Sequence, residues 1–200
     1  MTKPGHVRPG GRTARTQAAI FDATLAELAV RRYDQISVET IAMRAGVHKT
    51  TVYRRWGSKD RLVAGAIETL AQTRAGAPDT GDIDADLRCL ARAALATLNS
   101  RDGAAAARAI VSAGQDSPEV QRVIRRYWAA RTGHVGPIIE RAIERGQLPA
   151  GTDADEMISY VAAPLYHRLL VTAEPLTPAI ADRAAAAALA AARAGVFIRS

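Results

Sequence analysis

The side chains best able to do chemistry crowd between Ile41 and Lys59, in the stretch I-A-M-R-A-G-V-H-K-T-T-V-Y-R-R-W-G-S-K. Lysine, threonine, tyrosine and arginine follow a glycine there, in a chain holding only five tyrosines and two tryptophans, so aromatic groups sit among the densest positive charge. These groups make and break no bonds by themselves. Their combined chemistry is recognition: cations for a negative partner, hydroxyls and amines for hydrogen bonds, rings for a flat surface.

Groups suited to catalysis lack the required company. The histidines His6, His48, His134 and His167 are scattered without metal-ligand spacing. No G-x-S-x-G, no phosphate-cradling loop and no G-x-G-x-x-G after a strand is present. We therefore expect no enzyme activity, no cofactor and no metal.

The charge has an address. The net charge is +7, and residues 1–61 carry 12 Lys/Arg against 5 Asp/Glu, whereas residues 62–200 carry 15 of each. The whole excess lies in the first third, as in a polyanion-binding head joined to a neutral body.

Those residues must be held by the elements around them. The composition is 48% hydrophobic and only 4% aromatic, rich in alanine and leucine, and favours an all-α chain. Residues 1–12 read as a flexible basic arm. Thr13 is positioned to cap a helix reaching about Val30, with Phe21, Leu25 and Leu28 on its inner stripe. Ser37, with Glu39 in the first turn, opens a short helix that Gly46 ends, and a second short helix spans about Lys49–Trp56. Gly57-Ser58 recaps the chain for a helix from Lys59. Two short helices around a glycine turn, over about 37–56, make a helix-turn-helix, which flanking helices must brace because neither would be stable alone. A linker over 75–82 separates a head of residues 13–74 from a body of residues 83–200.

In the body, helices are expected at about 83–98 and 101–113. Ser117-Pro118 starts a long helical pattern to about Arg145, with a kink or break at Gly133 and Gly136-Pro137. Further helices follow at about 153–172 and 178–195, the last with Thr177-Pro178 as its cap. Cys89, the single cysteine, is expected to be a buried small hydrophobe, and its solitude fits a reducing cytoplasm. No apolar run approaches the ~18 residues needed to span a bilayer, and no signal-peptide pattern is seen.

At about 100° per residue, Lys49, Thr50, Tyr53 and Arg54 share one arc of the second short helix, with Thr51, Val52 and Arg55 opposite and Val52 as anchor. Trp56 is assigned to packing. The outer arc suits a major groove: lysine reaches guanine acceptors, threonine offers hydroxyl and methyl, and tyrosine and arginine reach phosphates or base edges. Ser37, Thr40, His48, Arg55 and Lys59 flank it as candidate phosphate contacts. With Thr51 these complete the candidate DNA-binding set.

The strings A-I-F-D-A-T-L-A-E-L-A, Y-D-Q-I-S-V-E-T-I-A-M-R-A-G-V and K-T-T-V-Y-R-R-W-G-S-K-D-R-L-V resemble the TetR family of bacterial transcriptional regulators. Tyr53, Arg55-Trp56 and Ser58-Lys59 stand where the family motif has its tyrosine, its histidine-phenylalanine pair and its Ser-Lys cap. Arg32 replaces a frequent glycine, and Thr50 stands where glycine or proline is frequent. A looser similarity covers 117–195. The resemblance implies an all-α homodimer of about nine helices per chain: a three-helix DNA-binding head, and a body that dimerises through its last two helices and encloses a small-molecule pocket. Tyr127, Trp128, Arg131, His134, Tyr160, Tyr166 and His167 are the candidate effector contacts. The function expected is a cytoplasmic repressor released from a palindromic operator by an effector. A helical protein–protein adaptor and a non-specific architectural DNA binder remain the alternatives.

Overall fold

A computed structural model describes residues 11–70 and 78–199. Among them are nine α-helices and no β-strand: α1 Arg12–Leu28, α2 Val38–Arg44, α3 Lys49–Trp56, α4 Lys59–Leu70, α5 Ile83–Asn99, α6 Arg101–Asp116, α7 Pro118–Glu144, α8 Ala154–His167 and α9 Pro178–Arg193. A 3₁₀ turn at Tyr33–Gln35 leads into α2, and a π turn at Arg168–Thr172 extends α8. The basic arm expected over residues 1–12 lies outside the described residues up to position 10, as do residues 75–77 of the expected linker.

Two apolar cores organise the chain. The first draws Ile20, Phe21 and Leu28 of α1 together with Ile41, Val52, Leu62, Val63 and Ile67 of the next three helices. It does not stop at the head: Ile110 of α6 and Val120 and Val123 of α7 belong to the same cluster. The second core joins α5, α7, α8 and α9 through residues such as Leu87, Ile138, Ile139, Met157, Leu165 and Leu189. The helix α7 therefore serves both. Its N-terminal turns pack under the head and its C-terminal turns in the body, a reach of about 40 Å at 1.5 Å per residue over its 27 residues.

Several local expectations are corrected. Thr13 does not cap α1; the helix begins a residue earlier, behind Gly11, with no side-chain cap bond. Leu25 is half-buried rather than buried. The helix α7 runs on through Gly133 and Pro137 without a break. The carbonyl that a proline ring crowds is four residues back, and here it belongs to Gly133, which is exposed and can turn that oxygen to water. Thr177 precedes Pro178 but makes no cap bond with its side chain. Cys89 is exposed rather than buried, on the outer face of α5.

The chain's last described residues are tied to the start of α8. Asp153 caps α8 by accepting from the Glu156 amide at 3.1 Å, and its second carboxylate oxygen accepts from Arg199 Nε at 2.6 Å. The Asp153 amide donates to the Phe197 carbonyl at 2.7 Å, and the Phe197 ring is buried. The Arg199 hydrogen bond, then the Glu156 amide, hold the Asp153 carboxyl below its usual 3.8. A depressed folded-state value means stabilisation that is present above the unfolded pKa and is lost as pH falls through the folded one. Asp153→Ala is expected to cost about 1 kcal/mol, the usual range for a lost N-cap. Thermal melts should show this deficit near neutral pH and show it shrinking as acid protonates the parent's carboxyl.

Candidate nucleic-acid interface

The helix α3 is short because a glycine turn stands on either side of it. Gly46, at φ 67°, makes the turn from α2, and Gly57, at φ 75°, makes the turn into α4. Both values are left-handed, where a Cβ would be strained. Within α3 one side chain, Val52, is buried at 1% exposure and pins the helix to the head core. Trp56 is half-buried and packs against Phe21 with ring centroids 5.5 Å apart, so its assignment to packing agrees with the structure.

The opposite arc faces outward. Lys49, Thr50, Tyr53 and Arg54 are all exposed, and Thr51 is half-buried. Lys49 lies 3.5 Å from Glu39 on α2, while Arg54 makes no ion pair among the described residues. His48, exposed, occupies the N-cap position of α3 without capping it. Arg55 is exposed but folds back: its guanidinium reaches the Thr13 carbonyl at 3.4 Å and lies 5.7 Å from the Trp56 ring centre.

Three more of the flanking residues are, like Arg55, engaged by the head itself. Ser37 caps α2 by accepting from the Thr40 amide at 3.1 Å, and the Thr40 hydroxyl donates back to the Ser37 carbonyl at 2.9 Å. Lys59 does not stand free. Its ammonium donates to the carbonyls of Tyr33 at 2.8 Å and Ile36 at 3.3 Å, and lies 4.2 Å from the Tyr33 ring centre. Lysine there satisfies two backbone oxygens just before α2. On the far side of α2, Arg44 donates to the buried carboxylate of Glu27 at 2.9 Å, tying α2 to α1.

Of the seven body residues singled out from sequence, four are brought together. Tyr127 and Trp128 meet edge to face at 5.3 Å, Trp128 meets Tyr166 at 5.3 Å, and Arg131 is close enough to act on the Tyr166 hydroxyl. Burial and the neighbouring Tyr127 push Tyr166 up to about 12, so its phenol stays neutral and able to donate throughout the physiological range. The other three are placed as follows. Tyr160 packs on Phe197 at 4.9 Å and is half exposed, His167 is exposed, and His134 is half-buried in α7. A cleft of about 460 Å³ opens elsewhere, between head and body, lined by Phe21, Trp56, Arg61, Gly65, Arg122 and Arg126 among others. Sequence reading missed it, because its walls come from α1, α3, α4 and α7 and no local pattern announces their meeting.

A short, externally braced helix that bares a cationic arc, set on a helical body, is the architecture of a helix-turn-helix DNA-binding regulator. Residues 20–66 match the model of the bacterial regulatory proteins of the tetR family, and residues 77–188 match the tetracyclin repressor-like C-terminal domain. The chain belongs to the TetR family of transcriptional regulators. It is 35% identical over 157 residues to the HTH-type transcriptional regulator AqdR of Rhodococcus erythropolis, covering 77% of this chain and 75% of that one. It is 29% identical over 178 residues to the DNA-binding transcriptional repressor TetR of Mycobacteroides abscessus, covering 83% and 87%. Among solved structures, FadR of Bacillus subtilis, in complex with stearoyl-CoA, shares the fold at 15% identity with a TM-score of 0.69, covering 86% of this chain and 97% of that one.

Losing the Lys59 ammonium would leave two carbonyls short of a donor, at a cost of about 1–3 kcal/mol where they are buried. Lys59→Met should accordingly lower the thermal midpoint measured by circular dichroism, and high salt should not abolish the difference.

Proposed function

We propose that the chain works in the cytoplasm as a repressor, bound as a homodimer to a palindromic operator and released by a small organic effector. The head is residues 13–74 and the body residues 83–200. The observation that carries the reading is the exposed arc of Lys49, Thr50, Tyr53 and Arg54, with Val52 buried directly behind it. Lys49 and Thr50 lead into the groove floor as base readers, with Thr51 at the edge. Tyr53, Arg54 and Arg55 meet phosphates, and His48 and the α2 N-terminus with Ser37 and Thr40 approach the backbone from the side. Lys59 contributes mainly by holding the turn before α2, with one ammonium proton left for a phosphate. Two heads then sit about 34–36 Å apart, one turn of the duplex.

The dimer forms through α8 and α9. The outer face of α9 carries Ala179, Arg183, Ala186, Ala187 and Ala190, all exposed, and Tyr160 of α8 and Val196 lie exposed beside it. Small side chains let two helices approach closely. Tyr127, Trp128, Tyr166 and Arg131 form the wall against which an effector binds, aromatic with a neutral phenol and one cation. Tyr160, packed on Phe197, and His167, exposed, play a lesser part, and His134 of α7 completes the set.

The test is a gel-shift titration with the DNA upstream of the protein's own gene, run at two salt concentrations. A regulator prefers one fragment and loses affinity steeply with salt. An adaptor would show neither, and an architectural binder would bind all fragments alike. Arg54→Ala should weaken every sequence and reduce the log–log salt slope by about one, whereas Lys49→Ala should relax preference at one or two base pairs. Ala190→Arg should yield monomers by sedimentation and lose operator affinity with them.

A further inference from the structure

A single carboxylate, that of Asp60 in the first turn of α4, joins the body to the lead-in of the helix-turn-helix. One of its oxygens accepts from the Tyr33 hydroxyl, and the other accepts from Ser117 Oγ at 3.1 Å. Ser117 is the N-cap of α7 and also accepts from the Val120 amide at 3.3 Å. Both hydroxyl residues are buried, at 5% exposure for Tyr33 and 2% for Ser117. On the head side the path continues, since Lys59 holds the carbonyls of Tyr33 and Ile36, and Ile36 immediately precedes the cap of α2. From the first turn of α7 to the start of the reading motif there is an unbroken run of directional bonds.

We propose that Ser117 and Asp60 are a positioning pair that fixes the register of the DNA-reading head on the body. The apolar contacts around Ile110, Val120 and Val123 bring head and body together but are non-directional, and let one surface slide on the other. Hydrogen bonds to a carboxylate are directional and stronger than neutral ones. Nearby reinforcement is weak: Arg61 and Glu119, each one or two residues further along the same helices, stand 3.9 Å apart with Arg61 largely exposed. Displacement of the α7 N-terminus is thereby delivered through Asp60 and Tyr33 to α2, and so to α3. The consequence for DNA rests on the function proposed above; the register itself does not.

The test reads register without DNA or effector. Met43, 77% exposed on α2, is replaced by cysteine and spin-labelled together with the native, exposed Cys89 of α5, and labelled chains are diluted into unlabelled ones. Pulsed electron resonance then gives the head-to-body distance within one chain. Ser117→Gly keeps a residue almost as good as serine at a helix cap but removes the donor to Asp60. Ser117→Asp caps equally well and sets a second carboxylate against the first. Ser117→Asn caps and can still donate through its amide. With the α-helical signal retained, the glycine and aspartate variants should show a distance distribution roughly twofold broader than the parent's, and the asparagine variant a parental one. Parental width in whichever of the glycine and aspartate variants folds would overturn the proposal. So would equal broadening in the asparagine variant, which would reduce Ser117 to a packing residue. Loss of operator binding by Arg54→Ala bears on the function alone and leaves this outcome untouched.

Discussion

An eight-residue helix cannot hold itself together in water, and this constraint shapes everything around α3. Nucleating a helical turn costs more conformational freedom than so few hydrogen bonds return. The side chains on its outer arc, moreover, face solvent and contribute little to folding, Lys49 making only an exposed ion pair with Glu39. Stability has to come from behind and from the flanking turns: one buried valine, a tryptophan leaning on Phe21, and a glycine in the turn on either side that lets the chain bend sharply into its supports. The head's core is that bracing, assembled from α1, α2 and α4 and completed by residues borrowed from α6 and α7.

The borrowing has a functional meaning in a transcriptional regulator. A head whose core ended at its own boundary would swing freely on its linker. Here the first turns of α7 are part of the head and its last turns part of the body, so a rigid rod crosses the junction. Its continuity through Pro137 matters for the same reason. Had the helix broken there, movement near Tyr127, Trp128 and Tyr166 would be less directly coupled to the far half of the rod.

What could be read from sequence was whatever is encoded locally. Ser37, Gly46 and Gly57 mark the limits of α2 and α3 because a cap or a left-handed turn depends on neighbours within four residues. The Ser117-Pro118 signal located the start of α7 for the same reason. The alternation of exposed and buried positions in α3 follows from helical geometry alone, and Val52 falls where the wheel puts it. Thr13 misled because a threonine near a helix start caps only if the chain bends there, and the chain bends at Gly11 instead. Long-range partners were illegible. Nothing near Lys59 says that its ammonium will find the carbonyls of Tyr33 and Ile36, and nothing near Ser117 says that its hydroxyl will find a carboxylate 57 positions earlier. Cys89 misled because residue type carries only a weak preference for burial, and the rotation of α5 decides the matter.

The two tryptophans fall one on each side of the junction: Trp56 in the head, tilted against Phe21 at the rim of the cleft, and Trp128 among the tyrosines of α7 and α8. The molecule thus carries two indole fluorophores in unlike surroundings. Replacing either indole with phenylalanine leaves an optical gauge of one half, so a pair of single-tryptophan variants, each followed by stopped flow, times events at the duplex and events in the interior separately.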